Sequence, residues 1–180
     1  FTKKDGFLGH DMQIYPDPPF TVSIDKSHVQ PVNAKFNFSI IDDSHYRITV
    51  DEDEVSLYNY IDNAVVSEKN VIRIDTICKF NETVTHKYFR FVATLADPRI
   101  VNPDPENLKE CYFVMYTIDD LARNYLANIE VAPVTVRSSL INIKIKGKNI
   151  NLTTDFLNTY VQNFLDNNLL KKNEMSANAV

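Results

Sequence analysis

The stretch SSLINIKIKGKNINLTTDFLNTYVQNFLDNNLLKKNEMSANAV, residues 138–180, decides how this chain is read. Ile141, Ile143 and Ile145 alternate with Asn142, Lys144 and Lys146, the two-residue period of a strand with one buried face. From Asn149 to Val180 there is neither Gly nor Pro, and Leu152, Phe156, Leu157, Tyr160, Val161, Phe164, Leu165 and Leu169 recur at helical spacing. The unit is therefore a strand, a turn at Gly147, a cap at Asn149 and a long helix. At a rise of ~1.5 Å per residue such a helix is on the order of 45 Å long, more than the width of a small domain, so it is expected to lead away from whatever it starts on.

Working outward, CYFVMY (111–116) reads as another strand, and Thr117, with Asp120 three residues on, starts a helix through an acidic variant of the capping box. The apolar face of that helix is Ile118, Leu121, Ala122, Tyr125 and Leu126. Strands alternating with helices give residues 111–180 as an α+β layer with helices on one side. The segment ADPRIVNPDPENLKE (96–110) has three prolines and no apolar period, which makes it the expected connection between domains. Residues 18–95 are β-rich. FTVSID leads in. KFNFSI and HYRITV form a hairpin across IDDS, with Phe36, Phe38 and Ile40 on one face and Tyr46, Ile48 and Val50 on the other strand's matching face. VSLYNY, VIRIDTICKF, a turn at NET and YFRFVATL follow. This density of short strands predicts a β sandwich or small barrel. Residues 1–17, with Gly6, Gly9 and Pro16, are a lead-in. The expected class is α+β: a sandwich- or barrel-like inserted domain, then an α+β layer that ends in a long helix.

Composition narrows the function. At 180 residues, 44% hydrophobic and 24% charged, the chain is an ordinary globular sequence, long enough to bury roughly 70% of its unfolded surface. A net charge of -5 argues against nucleic acid, whose phosphates demand a basic footprint. The longest apolar run, Cys111 to Tyr116, is far short of the ~20 residues that cross a bilayer. The chain opens on Phe1 with no leader-like segment, and is read as an excised fragment. Cys78 and Cys111 lack metal-site spacing and are read as small core residues, with a mutual disulfide as the alternative.

Signatures of chemistry are sparse. The three glycines, 6, 9 and 147, allow no phosphate-cradling loop, and no cofactor is expected. His10, His28, His45 and His86 stand apart from one another and from any nucleophile. Ser138 and Ser139 lack the glycine-flanked elbow of a hydrolase serine. No catalytic, cofactor or metal residue is assigned. The acidic run Asp51, Glu52, Asp53, Glu54 has oxygen ligands for a hard cation, but without the glycine and periodicity of a calcium loop it is read as a solvated turn. Lys144, Lys146 and Lys148, with Arg137 nearby, form a basic stripe. Its plain reading is a strand face kept soluble, its sharper one a contact with an anionic polymer or lipid head group. The sequons at Asn37, Asn81 and Asn151 would suggest a glycosylated secreted protein if the source were eukaryotic, and chance in an Asn-rich chain explains them as well.

The order of these elements resembles the Wzz-type chain-length determinant domain, the extracytoplasmic part of bacterial polysaccharide co-polymerases. The likeness runs through Ser138, Ser139, the strand, Gly147 and Asn149. It continues through Asp155-Phe156-Leu157-Asn158 and the segment Asn168 to Asn173 with its paired lysines. Upstream, ANIEVAPV is similar to the segment preceding that strand, and PPFTVSIDKSHVQP to the expanded form of the family with an inserted β domain. Nearly the whole chain is covered, by packing patterns and not by catalytic signatures. One position departs: the family often has Pro after the Asn at the helix start, where its missing N–H costs nothing, and here Ile150 follows.

The resemblance implies a periplasmic domain of a bacterial inner-membrane protein, held by transmembrane segments absent from this chain. It implies a homo-oligomer that sets the length of capsule, exopolysaccharide or O-antigen, with the polymerase and the nascent polysaccharide as partners. In many members a cytoplasmic tyrosine autokinase follows. This chain has no Walker loop or tyrosine-rich tail, so no enzymatic activity is expected of it. Phe156, Tyr160 and Phe164 are the candidate oligomer or packing residues. The alternative is a secreted or surface module whose β domain binds glycan or protein. A polysaccharide hydrolase ranks third, because no carboxylate pair can be singled out.

Overall fold

The computed structural model describes residues 2–3, 11–96, 111–136 and 140–177. It is an α+β chain of antiparallel strands in curled sheets, ending in a long helix. In chain order the elements are β1 (Thr2–Lys3), β2 (Met12–Gln13), β3 (Phe20–Ile24), β4 (Gln30–Val32), β5 (Lys35–Ile40), β6 (His45–Asn59), β7 (Ala64–Lys79), β8 (Thr83–His86), β9 (Phe89–Leu95) and β10 (Cys111–Val114). Then come α1 (Ile118–Leu126), β11 (Ile129–Pro133), β12 (Ile141–Ile145) and α2 (Ile150–Ala177). The chain divides into two compact units, Phe1–Asn124 and Tyr125–Val180.

In the first unit one sheet runs β2-β1-β10-β5-β6-β4, with β7 on the other edge of β6, and a second runs β3-β9-β8. Alternation explains which side chains turn inward. Phe36 and Phe38 of β5, Tyr46, Ile48 and Val50 of β6, and Ile72 of β7 are buried together with Phe20, Phe89 and Phe91. Aromatic rings join the two sheets: Phe20 stacks on Phe38 at 3.7 Å, and Phe36 meets Phe89 edge-on at 5.3 Å. The β5–β6 hairpin forms as expected, with Phe38 opposite Ile48 and Ile40 opposite Tyr46. Its turn is held by Asp42, whose carboxylate accepts the Ser44 and His45 N–H groups at 2.8 and 2.7 Å. Cys78 and Cys111 pack on or in this core and are not joined by a disulfide.

Several expectations are corrected by pairing partners distant in sequence. The acidic run is not a turn but the middle of β6, which continues to Asn59. The ladder with β7 shifts register between Glu52 and Val55, where Glu54 has φ 57°, as in a β-bulge. Arg73 on β7 makes this possible by gathering the run: it forms ion pairs with Asp51 and Asp53 and donates to the Glu52 carbonyl at 2.9 Å. CYFV, expected to open the α+β layer, is β10 in the first unit's sheet, with Cys111 opposite Phe38 and Phe113 opposite Phe36. The two compact units divide after Asn124; residues 97–110, with the prolines of the expected connection, lie outside the described residues. Within the expected lead-in, β1 pairs with both β2 and β10. The short strands β4, β8 and β11 carry too little periodicity to have been read from sequence.

In the second unit β11 and β12 form a two-stranded sheet, Ile143 opposite Val131 and Lys144 opposite Glu130. The helix start is as expected. Asn149 Oδ1 accepts the Leu152 N–H at 3.1 Å, and Thr153 Oγ1 donates to the Asn149 carbonyl at 2.6 Å. Gly147 is favoured by close approach, since a Cβ there would run into Thr153 Oγ1. At 28 residues, α2 extends ~42 Å.

Candidate functional site

The second unit gathers the candidate residues. Phe156, in the second turn of α2, is half-buried and lies flat on Tyr125, with centroids 4.0 Å apart and planes at 7°. Leu157 and Val161 share a cleft with Ile141 and Ile143 of β12, so the isoleucine face meets the first half of the helix. The second half differs. Phe164 is 51% exposed, and Leu165, Leu169 and Leu170 are exposed as well, while Tyr160, near the end of the first half, is 36% exposed and stacks on Phe156 at 6.2 Å. The neighbours Phe164 and Leu165, like Leu169 and Leu170, point roughly 100° apart, so the apolar arc is wider than the single stripe of a surface helix. Of the three expected packing residues, then, Phe156 is engaged within its own unit, Tyr160 stacks on it at the border, and Phe164 continues into an uncovered apolar surface. Helical spacing marked these positions as apolar; it carried no signal of which would be covered.

The basic stripe is reorganised by a partner the sequence did not suggest. An open cleft of about 660 Å³ lies beside Gly147 and the first turns of α2, lined by Glu130, Lys144, Lys146, Ile145, Ile150 and Leu157, among others. Lys146 Nζ sits 3.0 Å from Glu130 Oε1, and Lys144 is directly across the ladder from Glu130. Hydrogen bonding to Lys146, then the charges of Lys146 and Lys144, hold the Glu130 carboxyl below its usual range. Lys148 lies past the end of β12, exposed. Lys144 and Lys146 are thus gathered around an acid, which lessens their field toward an anion. Arg137, Ser138 and Ser139 lie outside the described residues.

The other candidate groups serve local structure. His28 Nδ1 lies 2.8 Å from the Val29 carbonyl, and His45 sits on Asp42. The His86 ring packs on Phe89 at 5.1 Å. His10 lies outside the described residues. Among the described residues no three His, Cys, Asp or Glu side chains are grouped so as to hold a metal, and no helix is long and apolar enough to cross a membrane. Asn37 is half-buried, with its amide 3.4 Å from the Thr49 carbonyl, whereas Asn81, at φ 62°, and Asn151 are exposed. Comparison with protein-family models, with curated proteins and with solved structures finds no match to this chain.

Proposed function

We propose that this chain is the periplasmic part of an inner-membrane polysaccharide co-polymerase of the Wzz type, acting by assembly with copies of itself and not by catalysis. In this reading the first unit is the inserted β domain, a sandwich of the seven- and three-stranded sheets. The second is the base, whose helix contributes to the oligomer. The polymerase and the growing polysaccharide are the partners.

The observation that carries the reading is the second half of α2, where Phe164, Leu165, Leu169 and Leu170 are exposed together on a helix whose first half is anchored through Phe156 and Leu157. An apolar surface of this kind on a soluble unit marks a protein contact. The order of strand, Gly147, Asn149 and helix supports the family assignment through the resemblance described above. The lysines at 144, 146 and 148 are a secondary proposal, a contact with the anionic polymer or with head groups.

The test is genetic and uses the whole parent protein in its own bacterium. Deleting the gene is expected to shift or broaden the length distribution of a surface polysaccharide on gels. F164D/L169D is expected to do the same with the protein still present in the membrane, and to abolish its cross-linked oligomers. An unchanged polysaccharide after deletion, or a wild-type parent that remains a monomer in detergent and in lipid, overturns the proposal. Replacing the three lysines by Gln tests the secondary point: unchanged product removes it.

A further inference from the structure

Among the described residues β7 pairs with β6 alone. From Ile72 to Lys79 that ladder is unbroken, facing Glu52 to His45, and along the other edge of β7 no strand is paired among the described residues. Such an edge is a template for another strand unless charge, proline or a bulge blunts it. Here the outward face presents an ordered pattern: Val71, 54% exposed, then Arg73, Asp75, and Ile77, 62% exposed.

We infer that this edge pairs with the same edge of a second copy, antiparallel, about a two-fold axis through Ile74. In a continuous antiparallel sheet directly opposed residues lie on one face, so residues opposite each other across such an axis must share the same parity. Centred on Ile74, Arg73 faces Asp75 of the second copy and Val71 faces its Ile77, each twice by symmetry. Arg73 already pairs with Asp51, and Asp75 with Arg47, within one chain. The charges therefore alternate across four strands, from Asp51 and Arg73 to the second copy's Asp75 and Arg47. On the inner face Ile74 meets its own counterpart, and the half-buried Ile74 and Cys78 at the core's margin are covered.

Nearby registers are worse. Centring on Arg73 or Asp75 sets like charges opposite each other, which destabilises a cross-strand pair. Centring on Ile72 or Thr76 sets Arg73 against Val71 or Asp75 against Ile77. The Ile74 register leaves Lys69 opposite Lys79 at each end, where Lys69 departs from regular strand at φ 58° and Lys79 has Glu82 at 3.7 Å. An isologous contact joins copies in pairs, so it is separate from the helix contact proposed above.

Analytical ultracentrifugation of the 180-residue chain over about 5 to 500 μM tests the contact. A concentration-dependent dimer is expected. R73E and D75R each set like charges across the axis, and each is expected to weaken the dimer at least about tenfold. Mixing the two variants restores opposite charges at both positions and should recover a heterodimer within about threefold of the wild-type affinity. Circular dichroism checks that each variant is folded, and V71K tests the apolar pair without touching the charges. A monomer across the whole range overturns the inference, as does a dimer that persists in both R73E and D75R. A dimer lost in L165D but intact in R73E places the contact on α2, which overturns the edge pairing and leaves the proposed function standing.

Discussion

Phe38 lies between two stacked rings, Phe20 at 3.7 Å and Tyr46 at 4.3 Å, and is 1% exposed. Truncating it removes contacts to both sheets at once, so F38A is expected to lower the unfolding free energy by about 3–5 kcal/mol, read from urea denaturation. His86 supplies a pH dependence. Burial, then the charges of Lys87 and His28, hold its imidazole below the ordinary 6.5, and its Nδ1 accepts the Tyr88 N–H at 3.4 Å, a bond only the neutral ring can accept. With the folded pKa below the unfolded one, the unfolded chain binds the proton first. The corresponding stability is complete above pH ~6.5 and is lost as pH falls through the folded value. The urea midpoint of the wild type should therefore drop more steeply below pH 6.5 than that of H86Q. Gly147 was legible as a turn, but its real constraint is the Thr153 hydroxyl, which only the folded helix brings near. G147A is expected to cost about 1–3 kcal/mol, and G147A/T153A less than G147A alone, because the clashing hydroxyl is gone.

The helices show how far local signals reach. Both expected caps are present: Thr117 Oγ1 accepts the Asp120 N–H at 3.0 Å, and Asn149 caps α2. Capping and 3.6-residue periodicity depend on neighbours a few positions away, so they can be read from sequence. N149A should cost about 1 kcal/mol, seen as faster hydrogen exchange in the first turn of α2. What periodicity could not supply is a partner. The expected apolar face of α1 contains no buried residue, and the residues beyond Val161 in α2 follow the same spacing as those before it yet are largely exposed. Among the strands, β6 looked broken at its four acids because like charges in a row normally signal a solvated loop. Arg73, 22 residues from Asp51, turns them into part of a ladder. An R73M substitution is expected to loosen this bulge, observed as faster exchange at Asp53 to Val55 while Phe36 and Phe38 stay protected.

At the scale of the molecule the two units differ in how much they bury. All the buried residues of the core cluster belong to Phe1–Asn124, while the described residues of Tyr125–Val180 are half-buried at most. Core depth sets the free energy of opening. Amides of β5, β6 and β9 should therefore exchange at least about 100-fold more slowly than those of β11, β12 and α2, and a chain ending at Asn124 should still fold, as judged by a cooperative urea transition. The sequence by itself determined the α+β class, the inward faces of β5 and of the start of β6, the turn at Asp42 and both helix starts. These follow from side-chain alternation, turn chemistry and capping, which act over a few residues. Only the tertiary structure decided that β6 runs through its acids, that β10 completes the first sheet, that Lys146 is bound to Glu130, and which apolar residues of α2 and β7 stay uncovered. Each of these depends on a partner brought close by folding, and alternation or helical spacing is the same whether or not that partner arrives.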